Sequence, residues 1–329
     1  MISVIVPVYN GGQTLAACLR ALQNQTHPPS EVIVVDDGST DDSAVIAAQF
    51  GVTVLSQTKA GPAAARNLGA QVASGDILLF TDADCSPASN WVERMLEPFA
   101  DPEVVGAKGE YRTCQSELVA RFVQQEYQDR YDRMAGQSSV DFVDTYSAAY
   151  RRDVFRGTGG FDTTFPTASV EDQELSFRLA EQGYHLVYVP GAIVYHRHDR
   201  SLGEYARRKY RIGLWKALVM RRYPSKLMRD SHTPQMLKVQ MGLAMLGLAL
   251  LLGGSITGSV YALVGGGLAW CLLLLSDVMF YAKILHRDPL VLTVAPALLF
   301  VRAWTLGWGF LLGNLRITFG GYSKSCENC

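Results

Sequence analysis

From Val239 to Ser276 the chain carries no Asp, Glu, Lys or Arg. That span is too long for one membrane helix of about 20 residues and suits two. Gly253-Gly254-Ser255-Ile256-Thr257-Gly258 is the natural turn between them. A third apolar run extends from Pro289 to about Leu315, interrupted by Arg302. The composition before residue 235 is different and reads as a soluble α/β region. The expected division is a soluble domain over 1–200, a basic and aromatic juxtamembrane segment over 201–235, and a transmembrane region over 236–317. Helices are expected there at 237–254, 258–280 and 289–313, with a short tail at 318–329. The formal net charge of −1 gives no reason to expect a nucleic-acid partner.

The first hundred residues alternate strand and helix. Ile2 to Val6, Glu31 to Val35, Val52 to Leu55 and Ile77 to Phe80 are short apolar runs bounded by turn residues. Between them, Thr14 to Gln25 and the Ala-rich Pro62 to Ala73 have helical patterning, with Pro62 in the first turn. Such alternation predicts a mostly parallel sheet with helices on both faces, a Rossmann-like α/β fold. Further on, Leu118 to Met134 and Glu171 to Gln182 read as helices. Leu186 to Val189 and Ile193 to Tyr195 read as two short strands.

Two acidic clusters end strands of this sheet: Asp36-Asp37 and Asp82-Ala83-Asp84. Ligands of doubly wound sheets bind beyond the carboxyl ends of the strands, where both clusters fall. Like charges facing each other repel unless a cation lies between them. A metal-bound nucleotide meets that need, with Asp37 accepting hydrogen bonds from a base or ribose and Asp84 holding the metal on a diphosphate. Taken alone, Asp36 to Asp41 also reads as a turn and a helix cap, and Glu171-Asp172 suits a helix N-terminus by charge.

Pro7-Val8-Tyr9-Asn10, Val34-Val35-Asp36-Asp37-Gly38-Ser39-Thr40-Asp41, Ala65-Arg66-Asn67-x-Gly69 and Asp82-Ala83-Asp84 together resemble glycosyltransferase family 2. Gly159-Gly160-Phe161-Asp162 and Glu171-Asp172 extend the resemblance to about residue 200. It implies the GT-A fold and an inverting transfer from a nucleotide diphosphate sugar, a uridine diphosphate sugar first among the candidates. By the same resemblance Pro7, Tyr9 and Asp37 line the nucleoside pocket and Arg66 approaches the diphosphate. Asp82 and Asp84 handle ribose, diphosphate and a Mn²⁺ or Mg²⁺ ion. Asp172 is the implied base, which an attacking hydroxyl needs, and Glu171 orients the acceptor or Asp172. The family often adds a histidine ligand after a late strand; His196 and His198 both qualify, and His196 directly follows the strand. Lys59, after the third strand, is a candidate for a phosphate or for the open surface.

The membrane segments point to a lipid-linked saccharide or glycolipid acceptor and to contact with membrane lipids. Arg207-Arg208-Lys209-Tyr210-Arg211, Trp215 and Arg221-Arg222-Tyr223 suit an anionic leaflet surface. The segment lacks the Gln-x-x-Arg-Trp of polymerising relatives, which favours transfer of a single sugar. Three rival readings remain: a polyprenyl-phosphate sugar synthase, a nucleotidyltransferase and a non-catalytic membrane scaffold.

Met1-Ile2-Ser3-Val4-Ile5-Val6 lacks a basic leader, so the catalytic part is expected in the cytoplasm of a multi-pass inner-membrane protein. Three spans would put Lys283 to Arg287 in an inside loop and Cys329 outside; a re-entrant or interfacial last segment would keep the C-terminus inside. Arg302 should face other helices or a polar cavity, with Asp277 as one partner. The six scattered cysteines read as reduced thiols, and Cys326-Glu327-Asn328-Cys329 as a tail.

Overall fold

The computed structural model describes residues 1–165, 170–228, 230–231 and 233–319, so Cys326, Cys329 and nearly all of the expected tail lie outside the described residues. The chain forms two compact units, one of residues 1–114 and 131–197, the other of residues 115–130 and 198 onward.

The first unit opens with β1 (Ile2–Val8), α1 (Gly12–Gln23), β2 (Glu31–Asp36), α2 (Ser43–Ala48), β3 (Thr53–Ser56), α3 (Pro62–Val72) and β4 (Ile77–Phe80). It continues with β5 (Cys85–Pro87), α4 (Trp91–Leu96) and β6 (Val104–Arg112). Helix α5 (Leu118–Met134) follows, its residues through Arg130 belonging to the second unit. Then come β7 (Ala148–Arg151), α6 (Arg152–Gly157), α7 (Glu171–Glu181) and β8 (His185–His196).

The eight strands make one sheet in the order β3-β2-β1-β4-β7-β6-β8-β5. The first four are mutually parallel, as strand-helix alternation requires. Beyond β4 the sheet is mixed: β7 is antiparallel to β4 and β6, and β5 is antiparallel to β8. Every residue of β1 and β4 is buried, the signature of strands covered on both faces. Helix α3 lies close to β1 because its contact residues are small. A Cβ on Gly69 would stand 2.6 Å from the Ile5 side chain.

One strand departs from the sequence reading. Leu186 to Val189 and Ile193 to Tyr195 are one continuous strand, β8. Pro190 and Gly191 do not end it. Gly191 takes a φ of 84°, and the pairing with β6 shifts register between Lys108 and Glu110 and then resumes. A bulge absorbs the missing amide without losing the ladder.

The second unit is helical: most of α5, then α8 (Leu202–Arg222), α9 (Pro224–Met228), α10 (Gln235–Thr257), α11 (Val260–Leu275), α12 (Val278–Arg287) and α13 (Ala295–Phe319). Helices α10 and α13 are long and apolar enough to cross a membrane; α11 and α12 pass that test only as a pair, bent by 41°. The expected 258–280 span is therefore broken at Ser276-Asp277. The expected inside loop, Lys283 to Arg287, is instead part of α12. Phe122, Val123, Tyr205, Phe280, Ile284, Val291, Ala295, Leu298 and Leu299 form an apolar core.

Arg302 faces protein, as its cost in hydrocarbon predicts. It is 4% exposed, donating to Glu126 Oε1 at 2.9 Å and to Gln240 Oε1 at 2.7 Å. Asp277 is 3.8 Å away, and Lys209 donates to the other Glu126 oxygen at 2.8 Å.

Candidate active site

The parallel arrangement of β1, β2 and β4 brings their carboxyl ends to one edge of the sheet. Tyr9 follows β1, Asp37 follows β2 and Asp82 follows β4. The first two loops are locked together: the Asn10 amide donates to Ser39 Oγ at 2.9 Å, and Asn10 Oδ1 accepts from the Thr40 amide at 2.8 Å. Asn10 holds a φ of 51°, which a short polar side chain tolerates.

Asp37 is buried, and both its oxygens are engaged. Oδ1 accepts from Gln57 Nε2 at 2.6 Å and from the Ala60 amide at 2.7 Å; Oδ2 accepts from the Gly61 amide at 2.9 Å. Gly61 immediately precedes α3, so the carboxylate also complements that helix terminus. Pro7 is buried within β1, beside Val35 in register. Tyr9 and Lys59 are exposed and touch, with the ammonium 4.0 Å from the ring centre. The two side chains form an open aromatic and cationic surface at this edge.

Arg66, which the resemblance places near the diphosphate, is held by carboxylates. Its guanidinium is 3% exposed and bridges two carboxylates, Asp82 Oδ1 at 2.7 Å and Glu171 Oε1 at 3.0 Å. Burial opposes its charge and those acids favour it, with the net pKa raised. One arginine thus ties the end of β4 to the first turn of α7. Its Nε has no hydrogen-bond partner among the described residues.

Asp172 is half-buried beside Glu171, and its Oδ1 accepts from the Gln173 amide at 2.8 Å. Burial pushes its carboxyl pKa well up, and the negative charges of Glu171 and Asp144 push the same way; Arg66 opposes them. A base of raised pKa is better matched to a hydroxyl proton than an ordinary carboxylate.

Asp82, Asp84 and Cys85 offer ligand atoms that all lie within 4.8 Å of one another. His196, the last residue of β8, puts Nε2 at 3.1 Å from Asp84 Oδ2. Burial works against ionisation of Asp84, but the hydrogen bond with His196 holds its pKa below the usual value. Paired carboxylates suit Mn²⁺ or Mg²⁺, so Asp82 and Asp84 fit such an ion, with His196 lying against Asp84. The Cys85 thiol is buried and its pKa raised, first by burial, and a thiol is softer than the oxygen ligands that Mn²⁺ and Mg²⁺ prefer. His198 lies elsewhere, in the second unit, with Nε2 3.2 Å from Gln124 Oε1 and its ring on Tyr127.

Three supports escaped sequence reasoning. Asn67 clamps the glycine-rich loop, donating to Phe161 O at 2.8 Å and accepting from the Phe161 amide at 2.9 Å. Gly160, with φ 66°, leaves room for it: a Cβ there would lie 2.5 Å from Asn67 Oδ1. Ser176 Oγ accepts from the Val143 amide at 3.0 Å and donates to Asp172 O at 2.6 Å. Next to Val143, Asp144 pairs with the fully buried Lys108 of β6. The signal for that pair was a lysine directly after the apolar run Val104-Val105-Gly106-Ala107.

Residues 3–159 match the sequence profile of the family described as Glycosyl transferase family 2. The chain is 32% identical over 225 residues to "Glycosyltransferase AglE" of Haloferax volcanii, covering 64% of this chain and 71% of that one. It is 31% identical over 237 residues to "Pre-mycofactocin glycosyltransferase" of Mycobacterium tuberculosis, covering 68% of this chain and 48% of that longer protein. Among solved structures it resembles a mannosyltransferase, PcManGT of Pyrobaculum calidifontis, solved with GDP-Man and Mn²⁺. That match has a TM-score of 0.59 and 20% identity over 95% of this chain and 86% of that one. The chain belongs to glycosyl transferase family 2, with a GT-A-like fold. It is an enzyme that transfers glycosyl groups.

Proposed function

We propose that the enzyme is membrane-anchored and moves one sugar, with inversion, from a nucleotide diphosphate sugar to a hydroxyl of a lipid-linked saccharide or glycolipid. The observation that carries this reading is the Asp82–Arg66–Glu171 bridge. It fixes a metal-type strand end and a base-bearing helix in one cluster, so a donor and an acceptor can meet there. A similar protein supports the donor class, since PcManGT was solved with GDP-Man and Mn²⁺.

In this reading the edge formed by Pro7, Tyr9 and Asp37 holds the nucleoside, and Lys59 leaves the Tyr9 ring to meet a phosphate. Asp84, Asp82 and His196 would hold Mn²⁺ or Mg²⁺, which when bound supplies positive charge to the departing diphosphate. Asp172 takes the acceptor hydroxyl proton as the oxygen attacks the anomeric carbon and the nucleoside diphosphate leaves from the opposite face. Glu171, held by Arg66, keeps Asp172 in place. A phosphate acceptor needs no base, so the Asp172 environment disfavours a polyprenyl-phosphate synthase.

The test is a screen of nucleotide sugars for hydrolysis and transfer by the purified full chain, with Mn²⁺, Mg²⁺ or chelator. One donor should be consumed in a metal-dependent way, giving an inverted product. Equal turnover in chelator, or a retained anomeric configuration, would overturn the mechanism.

A further inference from the structure

The apolar helices of the second unit pack in two ways. In the α10–α11 hairpin, Gly247 meets Trp270, with a Cβ there 2.3 Å from the ring, and Gly254 meets the Leu263 amide, with a Cβ 2.9 Å away. At its base Gln240 donates to Ser276 Oγ at 3.0 Å and to Asp277 Oδ2 at 3.4 Å. The register therefore places Asp277 level with the start of α10 and puts the turn at Gly258-Ser259 at the far end. Outward from that base the pair presents Leu246, Leu252, Leu268 and Leu272, all exposed and apolar, with Tyr261 92% exposed near the turn. From Gln240 to Thr257 α10 rises about 26 Å at 1.5 Å per residue. A hydrocarbon core is about 30 Å thick, and modest thinning accommodates the difference.

Helix α13 sits differently, although its composition equally allows a span. Its Arg302 meets Gln240 and Asp277, so that residue is level with the hairpin's base. Beyond Arg302 it runs against α8 backbone to backbone. A Cβ on Gly213 would lie 2.4 Å from Leu306 O, one on Gly309 2.3 Å from Tyr210 O, and one on Gly313 2.3 Å from Leu214 O. Helix α8 carries Arg207, Arg208, Lys209, Arg211, Lys216, Arg221 and Arg222 along that length. Each such charge is costly at the centre of a bilayer. Helix α8 therefore stays out of the hydrocarbon core, and the part of α13 packed on it shares its depth. Past Gly313 only about 9 Å of helix remains to Phe319, far short of a span.

We propose that, among the described residues, the α10–α11 hairpin alone crosses the membrane, while α8 and α13 lie together at its surface. The partner of that surface is a lipid leaflet. Trp308, Leu311 and Leu315 are each 43% exposed at helical spacing and dip into it. The exposed guanidinium groups of Arg207, Arg211 and Arg221 suit anionic headgroups. This deepens the membrane-anchored reading above and rests on it.

The test uses the full chain in a bacterial inner membrane, with native cysteines replaced and single ones introduced. An impermeant maleimide should label Tyr261→Cys from outside the cell and reach Phe319→Cys only after lysis. Labelling of Phe319→Cys from outside, or protection of Tyr261→Cys until lysis, overturns the proposal. Should the cysteine-free chain not fold, carbonate-resistant membrane retention decides it in the otherwise native chain. Leu311→Lys should retain it, and Leu268→Lys should lose it by about tenfold or more. Equal loss in both overturns the surface placement of α13. A parent chain released by carbonate overturns the membrane-anchored reading itself.

Discussion

Replacing Arg66 with methionine should strongly destabilise the catalytic unit. The guanidinium and Glu171 are each 3% exposed, so the substitution leaves a buried carboxylate without its cation. Breaking such a pair from one side typically costs about 3–5 kcal/mol. The Asp82 side chain is 28% exposed, so solvent screens that contact, and it adds about 0–1 kcal/mol. For a unit of this size about 1 kcal/mol moves the midpoint by roughly 2–4 °C, so Arg66→Met should lower Tm by about 6–24 °C. Differential scanning fluorimetry of the full chain in detergent reads this directly. A second variant isolates the cause. Arg66→Met combined with Glu171→Gln removes both charges and should recover much of the loss, since the penalty belongs to the stranded carboxylate and not to the missing side-chain volume. If Arg66→Met melts within about 2 °C of the parent, or if the double variant melts lower than the single one, the bridge does not hold the site together and the reasoning fails.

Other predictions concern chemistry. Asp84→Ala should abolish transfer with Tm almost unchanged, because the Asp84 side chain is 51% exposed and its loss strands no buried group; activity that survives both this change and chelation would refute the metal assignment. Asp172→Asn should lower kcat by about 10²- to 10⁴-fold with donor binding intact. The sign of the pH effect follows from the raised Asp172 pKa: the proton-accepting form exists only above it, so kcat should rise with pH along a limb lying above the ordinary value of about 3.9. Asp144→Asn removes one negative charge that raises that pKa and should move the limb down, while Lys108→Met, which strips Asp144 of its cation, should move it up. A limb that stays put in both variants would make the Lys108–Asp144 pair purely structural.

The parallel half of the sheet was legible because each of its strands is a short apolar run closed by turn residues, and the strand-end acids followed directly. The β8 strand was not, since Pro190-Gly191 looks like a terminator and the bulge that rescues the pairing depends on β6, far away in sequence. Arg66 shows the same limit within the site. Its motif was recognisable, but its two partners sit 16 and 105 residues away, and only the fold shows that they claim the guanidinium. Helix α5 looked like part of the soluble domain because it is polar. Arg121, Glu126 and Asp129 turn out to be partners for Asp288, Arg302 and Lys283 in the helical unit, pairings that local patterning does not encode. In α13 hydropathy reads a possible span, as its length and composition allow, but it is blind to the charged helix α8 packed along it.

Anchoring by the hairpin with its exposed leucines, as proposed, would have a kinetic consequence. An enzyme held in a bilayer explores an area, and an acceptor dissolved in the same bilayer is met at a concentration counted per lipid, not per litre. Adding inert lipid or detergent at fixed bulk amounts of enzyme and acceptor would spread both over more surface and slow their encounters, while the water-soluble donor would be unaffected. The apparent KM for such an acceptor would then track its mole fraction in the surface.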